Sequence, residues 1–174
     1  EALAYLRQEA APEKINPKYN HPVNWALAQE TDNQTRGIIE TEKGDIVIEF
    51  FALQTPGTVA NFIQLAKNGY FNGKTFHRVV PNFVVQDGCP RGDGYGSLDY
   101  TIRSEFTPLY YDKAGRVGMA SAGKDTECTQ FFITHSPTPH LDGRYTLFGK
   151  VVEGMDIVHK LQVGDRIKDV DIRE

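Results

Sequence analysis

The chain has 174 residues, of which 40% are hydrophobic, and its formal net charge at pH 7 is −4. This length suits a single domain with a sizeable core, whereas two domains would be crowded. A slightly acidic chain without a basic patch gives no reason to expect nucleic acid as a partner. No apolar stretch reaches the roughly 20 residues of a membrane span, so the chain as given is expected to be soluble and to have no membrane partner.

Residues 1–35 differ in sequence pattern from the rest of the chain. A short helical pattern at 2–10 gives way to three prolines that interrupt any regular element: Pro12, Pro17 and Pro22. This segment is interpreted as an N-terminal arm or linker, and residues 36–174 as the folded domain. The apolar cluster at 23–27 is expected to pack on that domain. The sequence starts at Glu1 without methionine, which leaves room for an upstream signal, anchor or domain, so the compartment stays open.

From residue 36 onwards the pattern is typical of β-structure. Two runs rich in β-branched residues, 37–41 and 45–50, flank a turn that contains Gly44. Glycine at the tight position of such a turn favours a β-hairpin.

A helix is predicted at 56–68. Thr55 can cap its start, Pro56 suits the first helical position, and Gly69 ends it. The apolar residues recur at i, i+3, i+4 and i+7, which gives the helix one apolar face: Val59, Phe62, Ile63 and Ala66.

The remaining elements are mostly short strands. Five β-patterned runs are separated by turns rich in Gly, Pro and Asp: 76–80, 83–86, 117–120, 130–134 and 145–151. A short helix at 155–162 precedes a last strand that ends near Ile172. Many short strands with two helices indicate a closed or nearly closed antiparallel barrel.

Residues 90–113 form a long, Gly-rich loop without periodicity, and such loops are usually functional or mobile. Its three alternating glycines at 92–96 resemble a phosphate cradle. A nucleotide site is disfavoured, however, because no amphipathic helix follows the glycines directly.

The two cysteines, Cys89 and Cys128, are 39 positions apart and have no C-x-x-C spacing. This argues against a structural zinc site and against a thioredoxin-like redox pair. Two separate thiols are favoured over a disulfide, which stays open. No metal ion and no cofactor is expected.

One segment of the chain is highly specific. Residues 76–88 (FHRVVPNFVVQDG) resemble the signature of the cyclophilin family. Three further blocks continue the resemblance in the family's order: 119–122 (MASA), 129–133 (TQFFI) and 141–151 (LDGRYTLFGKV). The similarity spans about 38 to 172 and leaves out the arm.

The resemblance implies a mainly β fold, a closed eight-stranded antiparallel β-barrel capped by two α-helices. It also implies a peptidyl-prolyl cis/trans isomerase that acts on Xaa-Pro bonds in peptides and unfolded protein segments and assists folding. The positions that match the family's catalytic residues are Arg78, Phe83, Gln86 and Phe132. The positions that match its substrate-binding residues are Val84, Ala120, Ser121, Gln130, His140, Leu141 and Tyr145.

Three of these positions depart from the common family pattern. Val84 stands where methionine is common, His140 where many members have tryptophan, and Tyr145 where many have histidine. None of them is the arginine. The departures predict reduced affinity for cyclosporin-like macrocycles.

Arg78 suits the chemistry that the resemblance implies. Rotation about an Xaa-Pro bond has a barrier of roughly 18–20 kcal/mol, but no covalent bond is made or broken. The twisted prolyl nitrogen gains a lone pair, which a permanently charged guanidinium can stabilise more than it stabilises the planar amide. The alternative for Arg78 is a surface ion pair, and for the apolar residues it is ordinary core packing.

Two functions from different classes therefore stand beside each other. The first is an isomerase, expected to be a monomer. The second is a proline-peptide binding module in which the same groove holds a partner and turnover is incidental.

Overall fold

The computed structural model describes residue 18 and residues 20–173. The helix expected at 2–10 lies outside the described residues. The eight strands are β1 Arg36–Thr41, β2 Gly44–Phe50, β3 Arg78–Val80, β4 Val84–Asp87, β5 Arg116–Met119, β6 Phe131–Thr134, β7 Leu147–Glu153 and β8 Ile167–Arg173. The helices are α1 Trp25–Glu30, α2 Pro56–Lys67 and α3 Met155–Lys160, with a 3₁₀ turn at Pro139–Leu141. The mainly β fold is confirmed, and α1 is an element that the sequence pattern did not predict.

All eight strands belong to one antiparallel sheet with the order β3-β4-β6-β5-β7-β2-β1-β8. The prediction of a closed barrel is wrong, because the edge strands β3 and β8 do not pair with each other. Their flanking segments, 73–76 and 164–167, meet through one isolated bridge and four backbone hydrogen bonds. Apart from Ile167, the first residue of β8, the residues that make these contacts lie outside the strands. The contacts therefore do not extend the ladder, and the sheet is a curled, open half-barrel.

The main core lies between the inner face of the sheet and α2. Phe62 of α2 touches four other rings at centroid distances of 4.8–5.7 Å: Phe50, Phe71, Phe131 and Phe148. The predicted apolar face of the helix is buried throughout. Helix α2 therefore fixes the curvature of the sheet by filling its concave side.

Among the described residues, no helix has the length and apolar character that a membrane crossing requires.

The start of α2 is not capped as the sequence suggested. Thr55 makes no side-chain capping bond, and its hydroxyl donates instead to the carbonyl of Phe51 (3.1 Å). The cap comes from Glu105, whose carboxylate accepts hydrogen bonds from the backbone N–H groups of Gly57 (3.1 Å) and Thr58 (2.8 Å). A negative charge at a helix N-terminus is favourable. The long loop is therefore anchored to α2.

The arm contacts the domain through α1. The side chain of Asn24 accepts from the N–H of Leu27 and donates to Oε1 of Gln64 on α2 (2.9 Å). Leu27 is 8% exposed and belongs to the main core, whereas Trp25 is 63% exposed. The described part of the arm thus contributes to the core. The boundary at residue 35 stays a prediction.

Replacing Leu27 by Ala should lower the free energy of unfolding by about 2–3 kcal/mol, because it removes a side chain that is buried in the main core. The matched control Trp25→Ala, on the same helix, should cost less than about 0.5 kcal/mol since the side chain is exposed. Urea unfolding of both variants measures this. Equal losses for the two variants would contradict the packing described.

Candidate active site

The register of the sheet arranges four residues in one row. Arg78 lies opposite Gln86, Gln86 opposite Phe132, and Phe132 opposite Gly118. Residues directly opposite each other on antiparallel strands project from the same face. The alternate residues of these strands project from the other face and belong to the main core: Val85, Val117 and Ile133. The row therefore lies on the outer face of the sheet.

A second, smaller core supports this row. It consists of Val84, Tyr111, Phe132, Leu141 and Leu147. The Tyr111 ring stacks on Phe132 with centroids 5.8 Å apart. Gly118 makes room for both rings, because a Cβ atom there would overlap the Tyr111 hydroxyl and lie 2.5 Å from the Phe132 ring.

Tyr111 is a structural residue of the site that the sequence analysis missed. Its hydroxyl donates to the carbonyls of Tyr145 (3.3 Å) and Thr146 (3.2 Å). Burial raises the pKa of Tyr111 well above its ordinary value, so the hydroxyl stays a neutral donor. Its position in the loop at 90–113 offered no periodic signal by which it could be found.

The row opens into a depression that we call the Arg78 pocket, with a volume of about 180 Å³. Nine of the eleven predicted site residues line it: Arg78, Phe83, Val84, Gln86, Ala120, Ser121, Phe132, Leu141 and Tyr145. The structure thus brings together residues from β3, β4, β6, the 3₁₀ turn and three connecting segments. The other two predicted residues, Gln130 and His140, lie beside it.

Arg78 is held by a chain of side-chain amides that we call the glutamine relay. Nη1 of Arg78 donates to Oε1 of Gln86 over a long 3.4 Å, and Nε2 of Gln86 donates to Oε1 of Gln130 (3.0 Å). Nε2 of Gln130 donates in turn to the carbonyls of Gly94 (3.1 Å) and Gly96 (2.9 Å). Because an amide offers its oxygen and its nitrogen on opposite sides, each bond fixes the orientation of the next group. The Gly-rich loop therefore orients the guanidinium.

The Phe83 ring contacts the side chains of Arg78 and His140. The Cζ atom of Arg78 lies 5.6 Å from the Phe83 ring centroid, and the His140 ring stacks on Phe83 at 5.5 Å. Tyr145 meets Phe132 edge-on at 5.8 Å. His140 and Tyr145, two of the departures from the family pattern, thus contact aromatic residues at the rim, whereas the third, Val84, is buried in the small core.

A second depression, which we call the loop pocket, adjoins the first and has a volume of about 280 Å³. It shares Gln86, Ala120 and Ser121 with the Arg78 pocket. Its remaining lining comes from the Gly-rich loop and from the segment before β6: Gly94, Tyr95, Gly96, Ser97, Ala122, Thr126, Cys128, Thr129 and Gln130. The sequence analysis missed this pocket, because it considered the glycines only as a phosphate cradle.

Both cysteines are free and buried. Sγ of Cys89 accepts from the N–H of Gly96 (3.3 Å), and burial raises the pKa of Cys128. The two thiols are therefore separate in this structure. Within the described part of the chain, no group of three His, Cys, Asp or Glu residues is close enough to hold a metal ion.

Two carboxyl groups are buried beside the site residues. Burial is the main cause that raises the pKa of Asp87 from 3.8 to about 7 and that of Glu127 from 4.5 to about 7. The N–H of Gly88 and the charge of Lys74 partly oppose this for Asp87, and bonds from Thr146 oppose it for Glu127. Each carboxyl has one oxygen without a hydrogen-bond partner among the described residues.

The contribution of these two carboxyl groups to the stability should therefore fall as the pH rises from about 5 to 8. A carboxyl with a higher pKa in the folded state binds its proton more tightly there, so its contribution is complete below 3.8 and is lost through about 7. Relative to wild type, Asp87→Asn should gain about 2 kcal/mol between pH 5 and pH 8. Urea unfolding across this range tests it, with Glu127→Gln expected to act in the same direction. A constant difference between variant and wild type would contradict the prediction.

The amino-acid sequence of this chain is similar to those of proteins with a named activity. The sequence profile of the family described as "Cyclophilin type peptidyl-prolyl cis-trans isomerase/CLD" matches residues 37–174. A Synechococcus elongatus protein named peptidyl-prolyl cis-trans isomerase is 47% identical over 140 residues, covering 79% of this chain and 96% of that protein. Peptidyl-prolyl cis-trans isomerase B of Bacillus subtilis is 49% identical over 127 residues, covering 72% and 88%.

Solved structures give the same likeness. The crystal structure of a cyclophilin type peptidyl-prolyl cis-trans isomerase from Cryptosporidium parvum superposes with a TM-score of 0.76 at 33% identity, covering 80% of this chain and 98% of that chain. A second crystal structure of that protein, in the presence of the dipeptide Ala-Pro, has a TM-score of 0.75.

Proposed function

The chain belongs to the cyclophilin-type peptidyl-prolyl cis-trans isomerase family, and we propose that Arg78 is the catalytic residue of this activity. The enzyme accelerates rotation about Xaa-Pro bonds. The observation that carries the proposed role is the position of Arg78. It is the only charged side chain among the residues that line the Arg78 pocket, and the glutamine relay orients it.

The proposed role of Arg78 is electrostatic. As the Xaa-Pro bond twists, amide resonance is lost and the prolyl nitrogen becomes a better hydrogen-bond acceptor. A guanidinium fixed beside this nitrogen stabilises the twisted state more than the planar state, which lowers the barrier in both directions. No proton has to be transferred, and the relay holds the guanidinium in place without neutralising its charge.

The apolar side of the pocket is proposed to hold the proline ring. The floor of the pocket is formed by three buried side chains: Val84, Phe132 and Leu141. Phe83 forms the wall next to Arg78. Aromatic and branched side chains suit a pyrrolidine ring, because they exclude water that would compete for the prolyl nitrogen. The likeness to a protein crystallised in the presence of Ala-Pro supports the same ligand class, proline-containing peptides and unfolded protein segments.

The polar side is proposed to hold the peptide backbone. Ala120 and Ser121 follow directly after β5 and separate the two pockets, so their backbone groups can pair with an extended peptide. Gln86 is proposed to contact the substrate carbonyl as well as Arg78, and Gln130 to act through Gln86.

The alternative, a binding module with little turnover, is not favoured. The similar proteins carry the name of the enzyme, and the arginine, the relay and the apolar floor are all present. The two functions predict different behaviour of one peptide: the isomerase catalyses its cis/trans exchange, whereas the module binds it without exchange.

Arg78→Ala should lower kcat/KM by at least about a hundredfold, because it removes the charge that stabilises the twisted amide. Arg78→Lys keeps the positive charge but loses the forked hydrogen-bond geometry of the guanidinium, so its kcat/KM should lie between that of Arg78→Ala and that of wild type. A protease-free isomerisation assay measures both, with thermal unfolding as the control for folding. Activity of Arg78→Ala within about threefold of wild type would remove Arg78 from the catalytic role.

Binding of cyclosporin-like macrocycles is proposed to be weak and to depend on His140. An imidazole offers less apolar contact than an indole, and its hydrogen-bond donation depends on the tautomer. His140→Trp should therefore raise cyclosporin affinity by about tenfold or more while peptide turnover changes little. Calorimetry and the isomerisation assay report the two effects separately. Unchanged affinity would mean that Val84 or Tyr145 limits cyclosporin binding.

The protein is proposed to act as a monomer.

A further inference from the structure

The turn at 121–126 forms the partition between the two pockets. Both pockets are lined by Ala120, directly before the turn, and by Ser121 at its start, and the loop pocket is also lined by Ala122 and Thr126. A shift of this turn would therefore widen one pocket and narrow the other. Its position relative to the sheet must be fixed if both pockets are to hold one extended peptide.

The turn holds its own shape. Oγ1 of Thr126 accepts from the N–H of Ala122 (2.9 Å) and donates to the carbonyl of Gly123 (2.8 Å). The tip, with Gly123 and Lys124, is exposed. These bonds close the turn internally, but they do not attach it to the rest of the domain.

The base of the turn is attached by the N–H of Ala120, which donates to the carbonyl of Gln130 (2.9 Å), and its far side by a reciprocal pair between Ser104 and Asp125. The N–H of Ser104 donates to Oδ1 of Asp125 (3.0 Å), and the N–H of Asp125 donates to Oγ of Ser104 (2.9 Å). Ile102 and Glu127 form an antiparallel bridge, in which the N–H of Ile102 donates to the carbonyl of Glu127 (2.8 Å). The next rung of such a ladder falls two residues along each strand, at 104 and 125.

The side chains replace that rung for a definite reason. Asp125 has a φ of 61°, in the left-handed region, so its backbone turns out of the extended ladder. The two N–H groups at this register then lack backbone acceptors on the facing residue, and the Ser104 hydroxyl and the Asp125 carboxylate supply them. Asp is one of the few side chains that tolerate this backbone conformation.

We propose that Ser104 and Asp125 are positioning residues that set the width of the substrate groove and thereby the affinity for peptides long enough to reach both pockets. The proposal rests on the proposed function for the direction in which substrate binds. Neither residue lines the Arg78 pocket or the loop pocket, so both act through the turn.

The Ser104 side of the pair is the fixed side. Glu105, the next residue, caps α2 through Gly57 and Thr58, and its own N–H donates to Oγ1 of Thr146 (2.8 Å). The segment that contains Ser104 and Glu105 is therefore bonded to α2, the helix that packs in the main core. The turn is the side that moves when the pair is broken.

Three variants separate the hydrogen bonds from the backbone conformation. Ser104→Ala removes one acceptor. Asp125→Gly removes the other but keeps the left-handed conformation accessible, because glycine adopts it freely. Asp125→Asn keeps an acceptor oxygen and the conformation while it removes the charge. Asp156→Asn, in an exposed pair with Lys160 on α3, is the control for a surface aspartate.

The experiment measures kcat and KM with an Ala-Pro peptide of minimal length and with peptides extended on either side of the proline. For an extended peptide, Ser104→Ala and Asp125→Gly should raise KM about three- to tenfold and leave kcat within about twofold, since the arginine and relay are untouched. The minimal peptide should show no change in KM. Asp125→Asn and Asp156→Asn should behave like wild type. Hydrogen exchange of the turn amides should accelerate in the first two variants only.

Three results would overturn the proposal. One is a loss of kcat without a change in KM, another is an equal effect on minimal and extended peptides, and the third is an Asp125→Asn variant as impaired as Asp125→Gly. If wild type failed to isomerise any peptide, the proposed function would fall. Peptide titration of the same variants would then test the positioning role by itself, through a selective loss of affinity for the extended peptides.

Discussion

The register of four strands is the constraint on which the site depends. It places Arg78, Gln86, Phe132 and Gly118 in one row on the outer face, while the alternate residues of the same strands face the main core. A slip of one residue in one of these strands would exchange the two faces of that strand: in β3 it would turn Arg78 inward, and in β4 or β5 it would turn a core valine outward. The aromatic packing around Phe62 therefore protects the site as well as the fold, because it holds the inner face in register.

Polar bonds from irregular segments complete what the register begins. Gln130 connects the Gly-rich loop to Gln86, and Glu105 connects the same long loop to α2. Each bond joins a backbone group without a partner in a strand or helix to a side chain from a distant part of the sequence. This satisfies buried polar groups and fixes the pocket walls together. The geometry of the pocket thus depends on segments that carry little regular structure.

This distribution explains which features the sequence could predict. All eight strands and helix α2 were predictable, because alternation and the i, i+3, i+4 spacing reflect local burial, and the family motifs located the arginine. The Glu105 cap, the role of Tyr111 and the loop pocket were not, since each is a contact between segments whose own patterns are aperiodic. Barrel closure was overestimated for the same reason: it depends on the loops at 73–76 and 164–167, not on strand propensity.

The central claim is that one chain of amides orients one arginine, and a double-mutant cycle on the glutamine relay tests it most directly. Cis/trans exchange of an Xaa-Pro peptide, followed by NMR at catalytic protein concentration, gives kcat for Gln86→Ala, Gln130→Ala and the double variant. If Gln130 acts on Arg78 only through Gln86, the double variant should lose no more activity than Gln86→Ala alone. Losses that multiply in the double variant would show two independent contributions and contradict the relay.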